Sequence, residues 1–341
     1  MHISGSPDLP PATCPARPLV VAHRGASAYR PEHTAASYEL AIELGADLVE
    51  PDVMVTRDGA LVVRHDRQLS LSTDIADHPE FAHRRRVKTV RGVAVRDWFV
   101  EDFDLAELRT LGCIEPDPDV RPLNTAYDGS FGVMTLEEVI DLVLDRATPG
   151  RDVGVLVELA PFLEGPGEDL PALLAAELRR LGVASGDGPI TLQSFEPEPL
   201  AWLREDLGSD CPPLVRLVHD GPAFDDLLTA RGLREISTYA HGIGPNLDRV
   251  MLRDADGFLA STSDLVDRSH DADLAVFVWK LRPENAFLPR QFRLGEDPRA
   301  HGNSAAEAEA LVDLGVDALI TDAPEVAARV CRLRQRDAAL V

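Results

Sequence analysis

Residues 19–66 read LVVAHRGASAYRPEHTAASYELAIELGADLVEPDVMVTRDGALVVRHD. Three short apolar runs in this stretch, Leu19–His23, Leu48–Val53 and Leu61–His65, have the length and β-branched content of strands. Between the first two, Thr34–Leu44 has helical spacing and stops at Gly45, a residue suited to a left-handed C-cap. R-D-G at 57–59 marks a turn before the third run. Each run ends in, or is interrupted by, residues that titrate or bind cations. His23 and Arg24 close the first, Glu50 and Asp52 sit two apart on the second, and His65 closes the third. Strand residues i and i+2 share a face, so the Glu50 and Asp52 carboxylates point the same way. Two carboxylates that close repel unless a cation lies between them or one is protonated. Two histidines and an arginine around such a pair make a poor core and a sensible metal-assisted site for an anionic substrate.

The rest of the chain repeats the alternation. Strands are expected at Val153–Leu159, Ile190–Gln193, Leu214–Leu217, Ala275–Lys280 and Ala318–Thr321, with a strand or loop at G-I-G-P-N, 242–246. Helices are expected at Thr135–Arg146, where T-L-E-E forms a capping box, and at Asp169–Leu181, Pro197–Arg204, Ala223–Arg231, Thr262–Asp271, Ser304–Leu314 and Pro324–Leu333. Strands alternating with helices imply a parallel sheet, and about eight such units favour a closed (β/α)8 barrel of the TIM type. Residues 66–132 break the rhythm with charge clusters and P-D-P-D at 116–119. They read as one insertion of about 65 residues over one end of the barrel, with a helix at Leu105–Leu111. The expected organisation is a disordered leader over residues 1–17 and a barrel over 18–335 that carries the insertion 66–132. Chemistry in such a barrel belongs at the carboxyl ends of the strands. His23, Glu50, Asp52, Glu158, Gln193, Trp279, Lys280 and Asp322 all fall there.

Hydrophobic content of 45% is ample for a core, and 341 residues suit one barrel with an insertion. The net charge of −24 argues against nucleic acid or an anionic membrane as partner. An anionic substrate must then be drawn in locally by a cation and a few arginines. Cys14, Cys113, Cys211 and Cys331 are widely spaced, with no C-x-x-C pair, which excludes a cysteine zinc site and leaves ordinary thiols. No apolar run is long enough to span a bilayer, and residues 1–17 are polar and proline-rich without an apolar h-region. No stable membrane insertion and a cytoplasmic location are expected. Composition leaves the oligomeric state open.

Glu50, Asp52 and Glu158 form a candidate three-carboxylate site for a hard divalent cation, and Ca²⁺ and Mg²⁺ fit equally. His23 and His65 are candidate acid and base groups, since an imidazole titrates near neutral pH. Arg24 has the planar fork that suits a phosphoryl group, and reads also as an ion-pair partner of the acids. Glu32 stands where it would serve either the site or a helix N-terminus.

The ordered motifs H-R-G (23–25), P-E-H-T (31–34), E-P-D (50–52), H-D (65–66), V-E-L (157–159), L-Q-S-F-E-P (192–197) and G-V-D-A-L-I-T-D-A-P (315–324) resemble the glycerophosphodiester phosphodiesterase family. The resemblance spans roughly residues 18–332. It implies the same barrel fold and metal-dependent hydrolysis of small-molecule glycerophosphodiesters to glycerol 3-phosphate and an alcohol. It also permits His65 as acid toward the leaving alcohol and His23 as base, or the reverse. Arg24, Gln193, Trp279 and Lys280 become expected substrate contacts, and Glu50, Asp52 and Glu158 the expected metal ligands. Two departures matter. His33 replaces the family's usual Asn and is expected behind the site. Ala160 stands where the family usually has a phosphate-contacting lysine, and Lys280 is the candidate replacement across the barrel mouth. Two rival readings are a phospholipase D-type activity on lysophospholipids, with Phe287-Leu288 and Trp98-Phe99 as an apolar strip, and a non-catalytic phosphodiester-binding barrel.

Overall fold

A computed structural model of the protein describes residues 17–146, 152–159 and 170–338. In chain order the elements are β1 (Leu19–His23), α1 (Ala35–Leu44), β2 (Leu48–Glu50), β3 (Asp52–Val55), β4 (Leu61–Val63), β5 (Arg86–Val90), β6 (Val93–Asp97), α2 (Leu105–Leu108), α3 (Leu136–Arg146), β7 (Gly154–Leu159), α4 (Leu170–Leu181), β8 (Ile190–Ser194), α5 (Pro197–Leu207), β9 (Leu214–Val218), α6 (Ala230–Ile236), β10 (Gly242–Pro245), β11 (Met251–Arg253), β12 (Leu259–Thr262), α7 (Leu265–His270), β13 (Ala275–Leu281), α8 (Ser304–Asp313), β14 (Ala318–Thr321) and α9 (Pro324–Ala338).

Parallel pairing runs β2-β1-β14-β13-β10-β9-β8-β7, and β2 pairs with β7 to close the ring. This is the expected (β/α)8 barrel. Its lumen is filled by Val21, Leu156, Val215, Phe277, Ala318 and Ile320, and a larger core lies between barrel and helices. The helix ends follow the sequence. Thr34 caps α1 through its side chain, and Gly45 ends it at φ 104°. Thr135 and Glu138 exchange the two bonds of a capping box at the start of α3.

Pro51 has no N–H to give to a ladder, and the second strand is broken there into β2 and β3. β2 pairs with β1 and β7, whereas β3 continues along β7 and turns back through β4. The third apolar run is therefore the antiparallel arm of a hairpin, not a barrel strand, and it ends at Val63 short of His65. Residues 223–231 contain a 3-10 turn (Pro222–Leu228) before α6 rather than one helix, and Thr262 closes a β11–β12 hairpin rather than opening α7. The helix expected over 105–111 ends at Leu108. Arg17, assigned to the leader, forms a two-bond ion pair with Asp47 at 2.7 Å, while residues 1–16 lie outside the described residues.

The insertion leaves β4 and rejoins the barrel ahead of α3, so both of its ends lie at the carboxyl ends of the strands. It has its own small core, in which Leu69, Ile75, Trp98, Phe103, Leu108 and Cys113 pack on Met54 and Val62. Cys113, Cys211 and Cys331 are free thiols, and Cys14 lies outside the described residues.

Candidate active site

Strand register alone gathers most of the candidate residues. His23 pairs with Glu50, Asp52 with Glu158, and Glu158 with Gln193. Carboxylate oxygens of Glu50, Asp52 and Glu158 lie within 4.8 Å of one another. The Gln193 amide nitrogen donates to Glu50 at 3.2 Å and to Glu158 at 3.0 Å, and its buried Oε1 has no partner among the described residues. Burial and then the neighbouring carboxylates push Glu50 and Glu158 well above the ordinary carboxylate range. Asp52 is held well below it, against its burial, chiefly by Arg24 and His33.

The H-R-G turn supplies the organic cation. Arg24 adopts φ 58°, and its N–H donates to the backbone and to the carboxylate of Glu50. A Cβ at Gly25 would fall 2.4 Å from Ser37 Oγ, so only glycine lets the turn pack against α1. Arg24 Nη1 donates to Glu32 at 2.7 Å, and Nε lies 3.0 Å from Asp52. The ion-pair reading of Arg24 is therefore realised, although the buried Nε makes no hydrogen bond of good geometry among the described residues. Glu32 pairs with Arg24 and leaves the helix cap to Thr34, and its pKa drops to about 2 beside Arg24, though burial alone would raise it. His33 joins Asp52 (3.0 Å) to the Tyr38 hydroxyl (2.8 Å), behind the carboxylates as expected.

His23 Nδ1 lies 2.7 Å from Asp322 Oδ1. Burial, then Lys280 and Arg24, bring His23 down to about 3, so the imidazole is neutral. Its Nδ1–H donates to Asp322, which leaves the lone pair on Nε2. His65 is less enclosed, with Nδ1 3.1 Å from Asp66. Lys280 is brought down to about 8 by burial and by Arg24, and its charge acts on His23, Glu50 and Glu158. Trp279 Nε1 donates to Gly244 O at 2.7 Å, and its ring meets Phe195 edge-on at 5.4 Å. Ala160 lies outside the described residues.

Sequence reading missed Arg121. This insertion residue binds Glu284 (2.7 Å), Asp322 (2.5 Å) and the Ser27 carbonyl (3.0 Å). Together with His23, Arg121 holds Asp322 well below its ordinary pKa, although burial opposes this. It therefore backs the histidine through a shared carboxylate. Its only sequence signal was an unpaired cation after an acidic P-D-P-D run. Glu284, buried on the segment after β13, was missed for the same lack of periodicity.

A model of the glycerophosphoryl diester phosphodiesterase family matches residues 23–326. The chain belongs to that family. It is 32% identical over 328 residues to a glycerophosphodiester phosphodiesterase of Arabidopsis thaliana, covering 90% of this chain and 84% of that one. It is also 32% identical over 235 residues to one of Bacillus subtilis, covering 68% and 69%. In fold it is similar to an Oleispira antarctica phosphodiesterase solved with the product sn-glycerol-3-phosphate, at TM-score 0.59 and 21% identity over 92% of this chain and 96% of that one. A glycerophosphodiester phosphodiesterase of Agrobacterium tumefaciens gives 0.58 and 21% over 92% and 99%. As a family member this chain is a phosphodiesterase, a hydrolase of phosphoric diesters.

Proposed function

We propose that the chain hydrolyses glycerophosphodiesters to sn-glycerol 3-phosphate and an alcohol, with a divalent cation as cofactor. The observation that carries the proposal is the convergence of three carboxylates, Glu50, Asp52 and Glu158, beside the His23–Asp322 pair and Arg24. The donor set fits such an ion. It is all oxygen, it is enclosed, and burial and then the neighbouring carboxylates make two of its members resist ionisation more than Arg24 and Lys280 offset. Glu50, Asp52 and Glu158 would hold the cation. Bound there, it would neutralise charge on the phosphoryl oxygens and polarise the phosphorus.

The remaining work falls to protein groups. Arg24 and Lys280 offset charge on the non-bridging oxygens. His23 takes the proton of the attacking hydroxyl at Nε2, with Asp322 fixing the tautomer and stabilising the imidazolium. A bound phosphodiester anion would offset Arg24 and Lys280, the cations that depress His23, and so lift its basicity. His65 gives a proton to the departing alkoxide. The proton accounting is the same whether water or the neighbouring glycerol hydroxyl attacks. Trp279 and Phe195 wall the alcohol side.

The lysophospholipid reading loses its apolar strip. Trp98, Phe99 and Leu288 are buried in cores, and Phe287 lies under the Arg282 guanidinium at 4.1 Å. The test is release of sn-glycerol 3-phosphate from glycerophosphocholine by chelated protein, before and after Ca²⁺ or Mg²⁺. Release only with the ion is expected. Full activity after exhaustive chelation would sink the metal requirement, and binding without release would favour the non-catalytic barrel.

A further inference from the structure

Between His83 and Arg96 the chain carries six lysines and arginines and no acid, in a protein of net charge −24. This stretch forms most of the β5–β6 hairpin, closed by a two-residue turn at Arg91 (φ 49°) and Gly92 (φ 78°). Arg84 and Lys88 pair with Glu107, Glu101 and Asp102. Arg85, Arg86, Arg91 and Arg96 are exposed, and none pairs with a carboxylate among the described residues.

The hairpin rises from the segment that follows His65, on the strand-end side of the barrel. Its base is tied beside His65. Val100 N donates to Arg67 O and Leu69 N to Trp98 O, while the Arg67 side chain follows the hairpin to Thr89 O, one pair short of the turn. The charge at its tip is felt at the end of β9. Arg91 acts with burial to lower His219, which follows β9 and stacks on Phe195 at 3.8 Å. In the ring, β7 and β8 separate β3 from β9. Five-residue strands reach about 16 Å, enough to cross that gap. Screening in physiological salt limits exposed charges to about 8 Å. A solute at the entrance therefore meets these guanidiniums before it senses the acidic remainder of the surface.

We propose that the β5–β6 hairpin is a cationic arm at the substrate entrance that selects glycerophosphodiesters whose alcohol itself carries an anionic group over those with a cationic alcohol. The inference rests on the activity proposed above. Basic residues also blunt a sheet edge against self-association, which would explain the charge without any effect on substrates.

The test compares kcat/KM for bis(glycerophospho)glycerol, whose leaving alcohol bears a second phosphodiester, with that for glycerophosphocholine. The holoenzyme should favour the first by on the order of tenfold at low ionic strength, and added salt should shrink the ratio. Arg91→Asn removes one charge and installs Asn-Gly, a better sequence for this turn. Combined with Arg96→Gln, it should lower the ratio several-fold through KM of the anionic substrate, leaving glycerophosphocholine turnover unchanged. An equal or reversed preference in the parent, or the same ratio in the variant, overturns the arm while the phosphodiesterase reading stands. Release from neither substrate overturns both.

Discussion

At the scale of single residues the site is a set of charges that hold one another in unusual protonation states. Asp322 shows this best. It binds His23 on one oxygen and Arg121 on the other, and it stays ionised although enclosed. Asp322→Asn keeps the shape but can present its amide N–H to His23 Nδ1. That would favour the tautomer with the proton on Nε2, the wrong one for a base. The variant should fold, bind substrate with little change in KM, and lose kcat by on the order of 10²–10⁴. Near-wild-type kcat would remove His23 from the role of base. Much of this set was readable beforehand, because strands ending in His, Glu and Asp are visible in sequence. The partners of those residues were not. Arg24 engages Glu32 and Asp52, and Gln193 engages Glu50 and Glu158, through contacts that depend on φ 58° at Arg24 and on inter-strand register. Neither quantity has a one-dimensional signature.

At the scale of elements, the insertion is a structural part of the site. Arg121 is its buried anchor, sealing Glu284 and Asp322 against the barrel. Arg121→Ala takes the nearest cation from two enclosed carboxylates, leaving Asp322 with His23 and the more distant Arg282, and removal of one partner of a buried ion pair costs about 3–5 kcal/mol. Urea unfolding should show that loss, and kcat should fall with it. Arg121→Lys should recover part of both, because charge returns without the fork. Loss of stability with unchanged kcat would show that Arg121 supports the fold and not the histidine. The barrel units were legible because burial imposes a period on them. Residues 66–132 were not, since short 3-10 turns around a small core need only scattered apolar residues. The β5–β6 hairpin did have a signal, R-G between alternating valines, which the density of charge concealed. The third apolar run failed for another reason. Pro51 sends the chain into a hairpin, and nothing local separates an antiparallel arm from a barrel strand.

For the whole molecule, enclosed acids govern how stability depends on pH. Burial raises Glu307 to about 8 and Glu115 to about 7, and Glu50 and Glu158 are raised well above their ordinary range. The buried histidines, with lowered values, stop contributing above about pH 6.5, where the unfolded chain has also released those protons. From there to about pH 8 the folded, chelated protein binds more protons than the unfolded chain, so its stability falls as pH rises. Thermal unfolding should show a declining melting temperature across that window. Glu307→Gln should flatten part of the slope, and Ca²⁺ or Mg²⁺ should flatten the part due to Glu50 and Glu158. A melting temperature independent of pH and of divalent ions would contradict this account. The link between Arg121 and Asp322 joins residues 201 apart, and that between His23 and Asp322 joins residues 299 apart. The proposed base thus receives its support from a residue just after β14, made long after the base itself. A nascent chain can carry all three acids of the proposed metal site and both histidines proposed to transfer protons and still hold no finished machine. Turnover in this protein reports that the ring has closed.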